Sequence, residues 1–206
     1  MQKLQYFDPI SIDTPREIVY RRLGSKPEMN IASHQIEEFD GYIQEGRSKM
    51  ELKGAYLRLP VKRNSSSVVE FENGLSVKSK LLSSLIGNYR EALFMAATAG
   101  ESIMDEIKIA QDDNMTKAVV LDALASESVE LSLEWIQRFL NRELLREKKR
   151  LIMRRISCGY SDFKIEHQNE IYRLMKLKRL KIKINDYFQL IPEKSVTAVT
   201  AIEDIG

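Results

Sequence analysis

The sequence is poor in the residues that build metal and redox sites. Its 206 residues include one cysteine, Cys158, and two histidines, His34 and His167. A single cysteine excludes an intrachain disulfide and any cysteine-based cluster, and two histidines cannot complete a three-ligand zinc site. Glycine is sparse as well. No two of the nine glycines are separated by a single residue, which removes the dinucleotide fingerprint and the glycine-rich loop of nucleotide-fold methyltransferases. There is no phosphate-cradling loop with its lysine and no Gly-x-Ser-x-Gly elbow, so hydrolase and kinase chemistry have nothing to stand on. No stretch approaches the roughly 18 apolar residues of a membrane helix. The opening MQKLQYFDPI lacks the basic-then-apolar pattern of a secretory leader, and a cytoplasmic, non-membrane protein is expected.

With 43% hydrophobic and 30% charged residues, the chain can bury a proper core, and it shows no repeat or linker. A single domain over 1–206 is expected, with a helical lead-in over 1–50 and a mixed core over 51–206. The small net charge of +2 hides an asymmetry. Residues 1–137 hold 16 Lys/Arg against 21 Asp/Glu, residues 138–183 hold 15 against 5, and residues 184–206 hold 1 against 4. The basic band reads either as a solvated helix surface or as a face for an anionic partner.

Local patterns give the elements. In IDTPREIV, Thr14 as N-cap, Pro15 at the first helical position and Glu17 as the return partner predict a capped helix ending at Gly24. A second helix follows GSKPEMN, with Ile36, Phe39, Tyr42 and Ile43 on one face, and is expected to end near Gly46. GAYLRLPV alternates as a strand, and Asn73-Gly74 marks a hairpin. EALFMAATAG reads as a buried strand, and the segment from Met115 to about Lys149 as the longest helix. That helix carries two adjacent apolar stripes, one through Val120, Leu124 and Trp135, the other through Ala125, Val129 and Ile136. RLIMRRI, DYFQLI and SVTAVTAI read as strands and IEHQNEIYRLMKL as a helix. Helices and strands mix without regular alternation, which predicts an α+β fold: an antiparallel twisted sheet flanked by helices, with a long buried central helix.

Three stretches carry polar groups that a core alone does not require. Asp122, Ser126, Glu130 and Glu134 recur every fourth residue of the long helix, with Glu127 beside them, as either a solvated face or a pocket wall for a cationic group. In RRISCGYSDF, Arg155 can offer a two-pronged contact to a carboxylate. Gly159 permits a turn, and Tyr160 offers a ring face and a hydroxyl. Taken alone this stretch is either a binding loop or a strand end, and Cys158 reads as a small buried filler. In LIPEKSVTAVTAI, Ser195 and Thr197 point to one side of a strand.

In that order, VLDALASESVE, RRISCGYSDFKIEHQNEI and PEKSVTAVTAI resemble the activation domain of cobalamin-dependent methionine synthase, in its short stand-alone form. The family pattern Arg-x-x-x-Gly-Tyr is met by Arg155, Gly159 and Tyr160. Its downstream Pro-x-x-Ser-Val is met by Pro192, Ser195 and Val196.

The resemblance implies an S-adenosylmethionine-binding subunit that supports reductive methylation of cobalamin carried by a partner, a cobalamin-binding methionine synthase chain. A flavodoxin-like reductase would supply the electron, and the chain is not expected to be catalytic alone. On this reading Arg155 takes the ligand carboxylate, the loop from Ser157 through Gly159 to Tyr160 holds the adenosine part, and Glu127 or Glu130 takes the ammonium. Ser195, and Asp13 of IDTP, complete the candidate set. The family continues Gly-Tyr with Pro-Ala-Cys-Pro, where this chain has Ser161, Asp162, Phe163 and Lys164, and larger members extend past Ser-Val by a segment that also contacts the ligand. The alternative function is an adaptor without ligand that uses the basic 138–183 band for docking or nucleic acid. An acidic first two-thirds and the lack of an aromatic-rich basic motif argue against nucleic acid.

Overall fold

The computed structural model describes residues 3–24 and 32–206. The chain runs β1 (Lys3–Phe7), α1 (Arg16–Arg22), α2 (Ser33–Lys49), β2 (Lys53–Asn64), β3 (Val68–Phe71), β4 (Ser76–Lys78) and α3 (Lys80–Ile86). It continues through β5 (Glu91–Thr98), α4 (Ser102–Asp113), α5 (Met115–Leu144), β6 (Lys149–Leu151), α6 (His167–Leu174), β7 (Lys183–Ile184), β8 (Leu190–Ile191) and β9 (Ser195–Asp204). The main sheet has the order β4-β3-β2-β5-β9-β6, with β1 also paired to β2, and every pairing is antiparallel. β7 and β8 form a separate small hairpin. This is the expected α+β class.

The central strand β5 is apolar at nearly every position because both its faces are covered. Leu93, Met95 and Ala97 pack into the core made with α1, α2, α4 and α5, while Ala92, Phe94 and Ala96 pack into a second core with α3, α6 and Phe163. Alternation along the strand sends successive side chains to opposite faces, so burial on both gives a continuous apolar run. α5, of 30 residues, buries Ala125, Ser128, Val129, Ser132 and Ile136, as its two apolar stripes require. It approaches the sheet closely at Gly54, where a Cβ would stand 2.7 Å from the Ala96 carbonyl oxygen and 2.8 Å from Ile136.

Several local expectations are corrected. The capping box of α1 does not form: Pro15 occupies the cap position, no side chain caps the helix, and the Arg16 amide donates to the Thr14 carbonyl instead. α2 does not stop at Gly46. It continues to Lys49, and Gly46 is a contact point, since a Cβ there would meet Leu121 at 2.5 Å and Leu124 at 2.7 Å. The lead-in contains an unforeseen strand, β1, and the connection from Ser25 to Ile31 lies outside the described residues.

RLIMRRI is a ladder only at its start. The Ile152 amide donates to Ala201 and the Ile156 amide to Val199, so four residue steps on this strand face two on β9. The extra residues bulge outward. Thr200 Oγ1 donates to the carbonyls of Arg154 at 2.7 Å and Ile152 at 3.3 Å, satisfying backbone that has left the ladder.

Candidate functional site

The bulge turns Arg155 away from the sheet and toward α5. Its Nη2 donates to Glu130 Oε2 at 2.6 Å and its Nη1 to Gln137 Oε1 at 2.7 Å. Glu130 and Gln137 are seven residues apart, two helical turns, and so share a face on which a planar guanidinium can span both.

After Ile156 the chain makes a compact turn. Gly159 adopts φ 93° and Ser161 φ 53°, both in the left-handed region. The Gly159 amide donates to the Phe163 carbonyl at 2.7 Å, and the Phe163 amide to the Tyr160 carbonyl at 3.0 Å. Phe163, fully buried, roots the turn in the second core. Asp162 ties it sideways to α3: its carboxylate accepts from Ser79 Oγ at 3.0 Å, the Lys80 amide at 2.5 Å and the Leu81 amide at 3.0 Å. The Leu81 and Lys80 amides hold this carboxyl below the usual range. Tyr160, at the tip, is 66% exposed.

The start of β9 supplies the floor. Ser195 Oγ donates to Thr98 Oγ1 at 2.8 Å, and the buried Thr197 Oγ1 donates to Gln168 Oε1 at 2.8 Å. Lys194 reaches back to α5, with Nζ 2.6 Å from Asp122 Oδ1 and 2.9 Å from Ser126 Oγ. Two of the three acids of the stripe, Asp122 and Glu130, are thus matched by Lys194 and Arg155.

Two hollows flank this arrangement. The larger, about 570 Å³, lies between Ser157, Tyr160, the start of α6, the β7–β8 hairpin with Phe188 and Gln189, and Ser195 to Thr197. The other, about 490 Å³, is lined by Arg154, Arg155, Leu133, Leu81 and Ser161. Glu130, Ser157 and Tyr160 line both. The structure therefore brings together Arg155, Ser157, Tyr160, Glu130 and Ser195, while Gly159 shapes the turn without lining either hollow.

Glu127 and Asp13 stand elsewhere. Glu127 is about 60° round the helix from Glu130 and accepts from Arg22 Nη1 of α1 at 2.7 Å. Asp13 lines a third hollow beside Trp135 and Arg138. Sequence reasoning missed Gln137, Gln168, Lys194, Asp162 and the β7–β8 hairpin. Of these, Gln137 had a signal, its two-turn spacing from Glu130.

Cys158 is buried, and burial pushes its thiol up to about 12, so it stays protonated and unreactive at neutral pH. Among the described residues there is no metal-binding group of His, Cys, Asp and Glu, and no helix is long and apolar enough to cross a membrane.

The sequence matches no protein-family model and no curated protein. The structure does have a solved counterpart, the crystal structure of the MetH reactivation domain bound to AdoHcy. The TM-score is 0.63 over 97% of this chain and 78% of that chain, at 16% sequence identity. At that identity the likeness is one of fold, and it is the fold that the sequence resemblance implied: this chain has the architecture of the MetH reactivation domain, a curled antiparallel sheet with flanking helices and one long helix.

Proposed function

We propose that the chain binds S-adenosylmethionine across the two hollows and acts as a reactivation subunit for a cobalamin-dependent methionine synthase. The observation that carries this reading is the Arg155–Glu130 pair, 2.6 Å apart beside both hollows, on a fold whose solved counterpart was crystallised with AdoHcy.

The residues present fit the ligand's chemistry. Its amino-acid end is a zwitterion, and Arg155 and Glu130 are a complementary cation and anion that can exchange each other for the ligand's carboxylate and ammonium. Its adenosine end is planar and polar at the edges, matching the Tyr160 ring and the Ser157 and Ser195 hydroxyls around the larger hollow. The volume of about 570 Å³ lies within the roughly 300–1,000 Å³ usual for small-molecule sites. Of the two acids considered for the ammonium we assign Glu130, because it lines both hollows, while Glu127 lines neither and is paired with Arg22 of α1. Asp13 is not assigned to this ligand.

Bound S-adenosylmethionine supplies an electrophilic methyl group, and the chain's residues hold and orient it. Arg155 and Glu130 fix the amino-acid end, and the Gly159–Tyr160 turn limits how the adenosine can lie. Such orientation makes a bimolecular methyl transfer effectively unimolecular. The cobalamin belongs to a partner chain, a flavodoxin-like reductase supplies the electron, and the basic band of 138–183 is the docking face for an acidic partner.

The test is a mixture of the chain with S-adenosylmethionine, a reductant and a cobalamin protein in its Co(II) state, followed by visible spectroscopy. Appearance of the methylcobalamin spectrum, dependent on the chain, is the expected result. Its absence with every cobalamin methyltransferase tried, while S-adenosylmethionine still binds, would reject the reactivation role and leave only the binding one.

A further inference from the structure

The hollow that contains Asp13 has a chemistry of its own. It measures about 300 Å³ and lies between the Ser11–Asp13 loop and one face of α5 bearing Trp135, Arg138, Phe139 and Arg142. The spacing of these four, at i, i+3, i+4 and i+7, puts them on a single stripe.

Its wall is aromatic and well fixed. Trp135 and Phe139 stack with centroids 5.7 Å apart and planes 14° from parallel, and Phe7 of β1 stands edge-on to each at 5.0 Å. Trp135 and Phe139 are only partly buried, so part of this surface faces the hollow.

Its charges are uncommitted. Three cations that touch α5 are matched: Lys117 by Glu45 and Glu106, Arg155 by Glu130, Lys194 by Asp122. Arg138 and Arg142 are exposed, and among the described residues neither guanidinium has an ion pair or hydrogen bond. The Asp13 carboxylate, also exposed, has none either.

A pair of arginine forks one turn apart suits a phosphate, to which each can donate twice. A carboxylate nearby suits the vicinal hydroxyls of a ribose, which an aspartate accepts from. An aromatic wall suits a base, whose flat face stacks on any such ring. We infer that this hollow is a nucleotide site that takes a nucleoside monophosphate: phosphate on Arg138 and Arg142, ribose on Asp13, base against Trp135 and Phe139. The volume is at the small end of the ligand-site range, which suits a mononucleotide rather than a dinucleotide. Phosphate recognition separates it from the first site, whose ligand carries no phosphate.

Trp135 is the only tryptophan in the chain, so its fluorescence reports on this hollow directly. Titration with AMP should quench it saturably. Adenosine and inorganic phosphate, each lacking half of the recognised groups, should bind at least about tenfold more weakly. Arg138→Ala and Arg142→Ala should each weaken AMP binding by about tenfold or more while leaving the thermal midpoint unchanged, since neither residue has a partner in the fold to lose. No saturable quenching up to millimolar AMP would overturn the inference, as would AMP affinity indifferent to both arginines. Inorganic phosphate binding as tightly as AMP would reduce the hollow to a free-anion site. Displacement of AMP by an equal concentration of S-adenosylmethionine would make it part of the first site, and both results reject the inference.

Discussion

The guanidinium of Arg155 and the carboxylate of Glu130 meet at 2.6 Å where the two principal hollows adjoin, with side-chain exposures of 24% and 50%. An ion pair this open to water contributes little to stability, about 0–1 kcal/mol. On the proposed reading its use lies in binding: the pair holds two opposite charges that the zwitterionic end of S-adenosylmethionine would take over, each partner leaving one contact as it gains another.

The two acids of α5 weighed for the ligand ammonium, Glu127 and Glu130, are separable by mutation. Glu130→Gln removes the charge that would receive the ligand ammonium and should weaken S-adenosylmethionine binding by about tenfold or more, the usual worth of a hydrogen bond to a charged group being about 1.5–3 kcal/mol. Glu127→Gln should leave affinity unchanged, because Glu127 lines neither hollow and pairs with Arg22 of α1 at 2.7 Å. Calorimetric titration of both variants checks this, and the opposite ranking would move the ammonium contact to Glu127.

Asp162 should act on the site through its loop. Asp162→Ala removes the acceptor of Ser79 Oγ and of the Lys80 and Leu81 amides, uncoupling the Tyr160 turn from α3. Hydrogen exchange at residues 157–163 and at the Lys80 and Leu81 amides should speed up, and ligand affinity should fall with it. Unchanged exchange in the turn would show that Phe163 alone holds it.

How much of this was legible beforehand depends on which interactions are local. The long helix, the Asn73–Gly74 hairpin and the buried run of β5 follow from periodicity and turn chemistry within short windows, and the structure contains all of them. The bulge that delivers Arg155 is different. It exists because β9 takes two steps where its neighbour takes four, and because Thr200 satisfies the freed carbonyls, which lie 46 and 48 residues away in sequence. Likewise, the partner of Glu127 on α1, Arg22, lies 105 residues upstream and could not be read from the helix pattern. Gly46 looked like a stop signal because a glycine wanted for close helix contact and one wanted for a helix end are the same letter.

The floor of the site rests on a buried polar pair. Thr197, 2% exposed, donates to Gln168, 6% exposed. Thr197→Val leaves the Gln168 carbonyl without its donor in a closed setting and should cost about 1–3 kcal/mol. The double variant Thr197→Val with Gln168→Leu should recover much of that loss, since replacing both partners removes the unsatisfied group. Denaturant unfolding of both measures it. A single variant as stable as the parent would mean that water reaches Gln168.

Acid should unfold the protein through carboxylates tied to cations and amides. Burial pushes Glu91 upward, but hydrogen bonds and charge from Lys149 and Arg58 outweigh it and hold the carboxyl below the usual range. The Arg16 guanidinium does the same for Asp40, and backbone amides for Asp162. Each is lowered in the folded state, so the unfolded chain takes up its protons first as pH falls. The stability they contribute is fully present above the ordinary carboxylate range of about 4 and is lost as pH drops through their lower folded values. The thermal midpoint should be flat from pH 7 to about 5 and decline below, with a shallower decline in Glu91→Gln. A midpoint that rises on acidification would contradict the assignment.

The most direct measurement is equilibrium binding of S-adenosylmethionine to the whole chain and to Arg155→Ala. The account predicts saturable one-to-one binding by the parent chain, weakened by about 10- to 100-fold in Arg155→Ala, with Arg155→Lys in between because it keeps the charge and loses the fork. The thermal midpoints of all three should nearly coincide. A folded Arg155→Ala that binds as tightly as the parent, or a parent chain that does not bind at all, would contradict it.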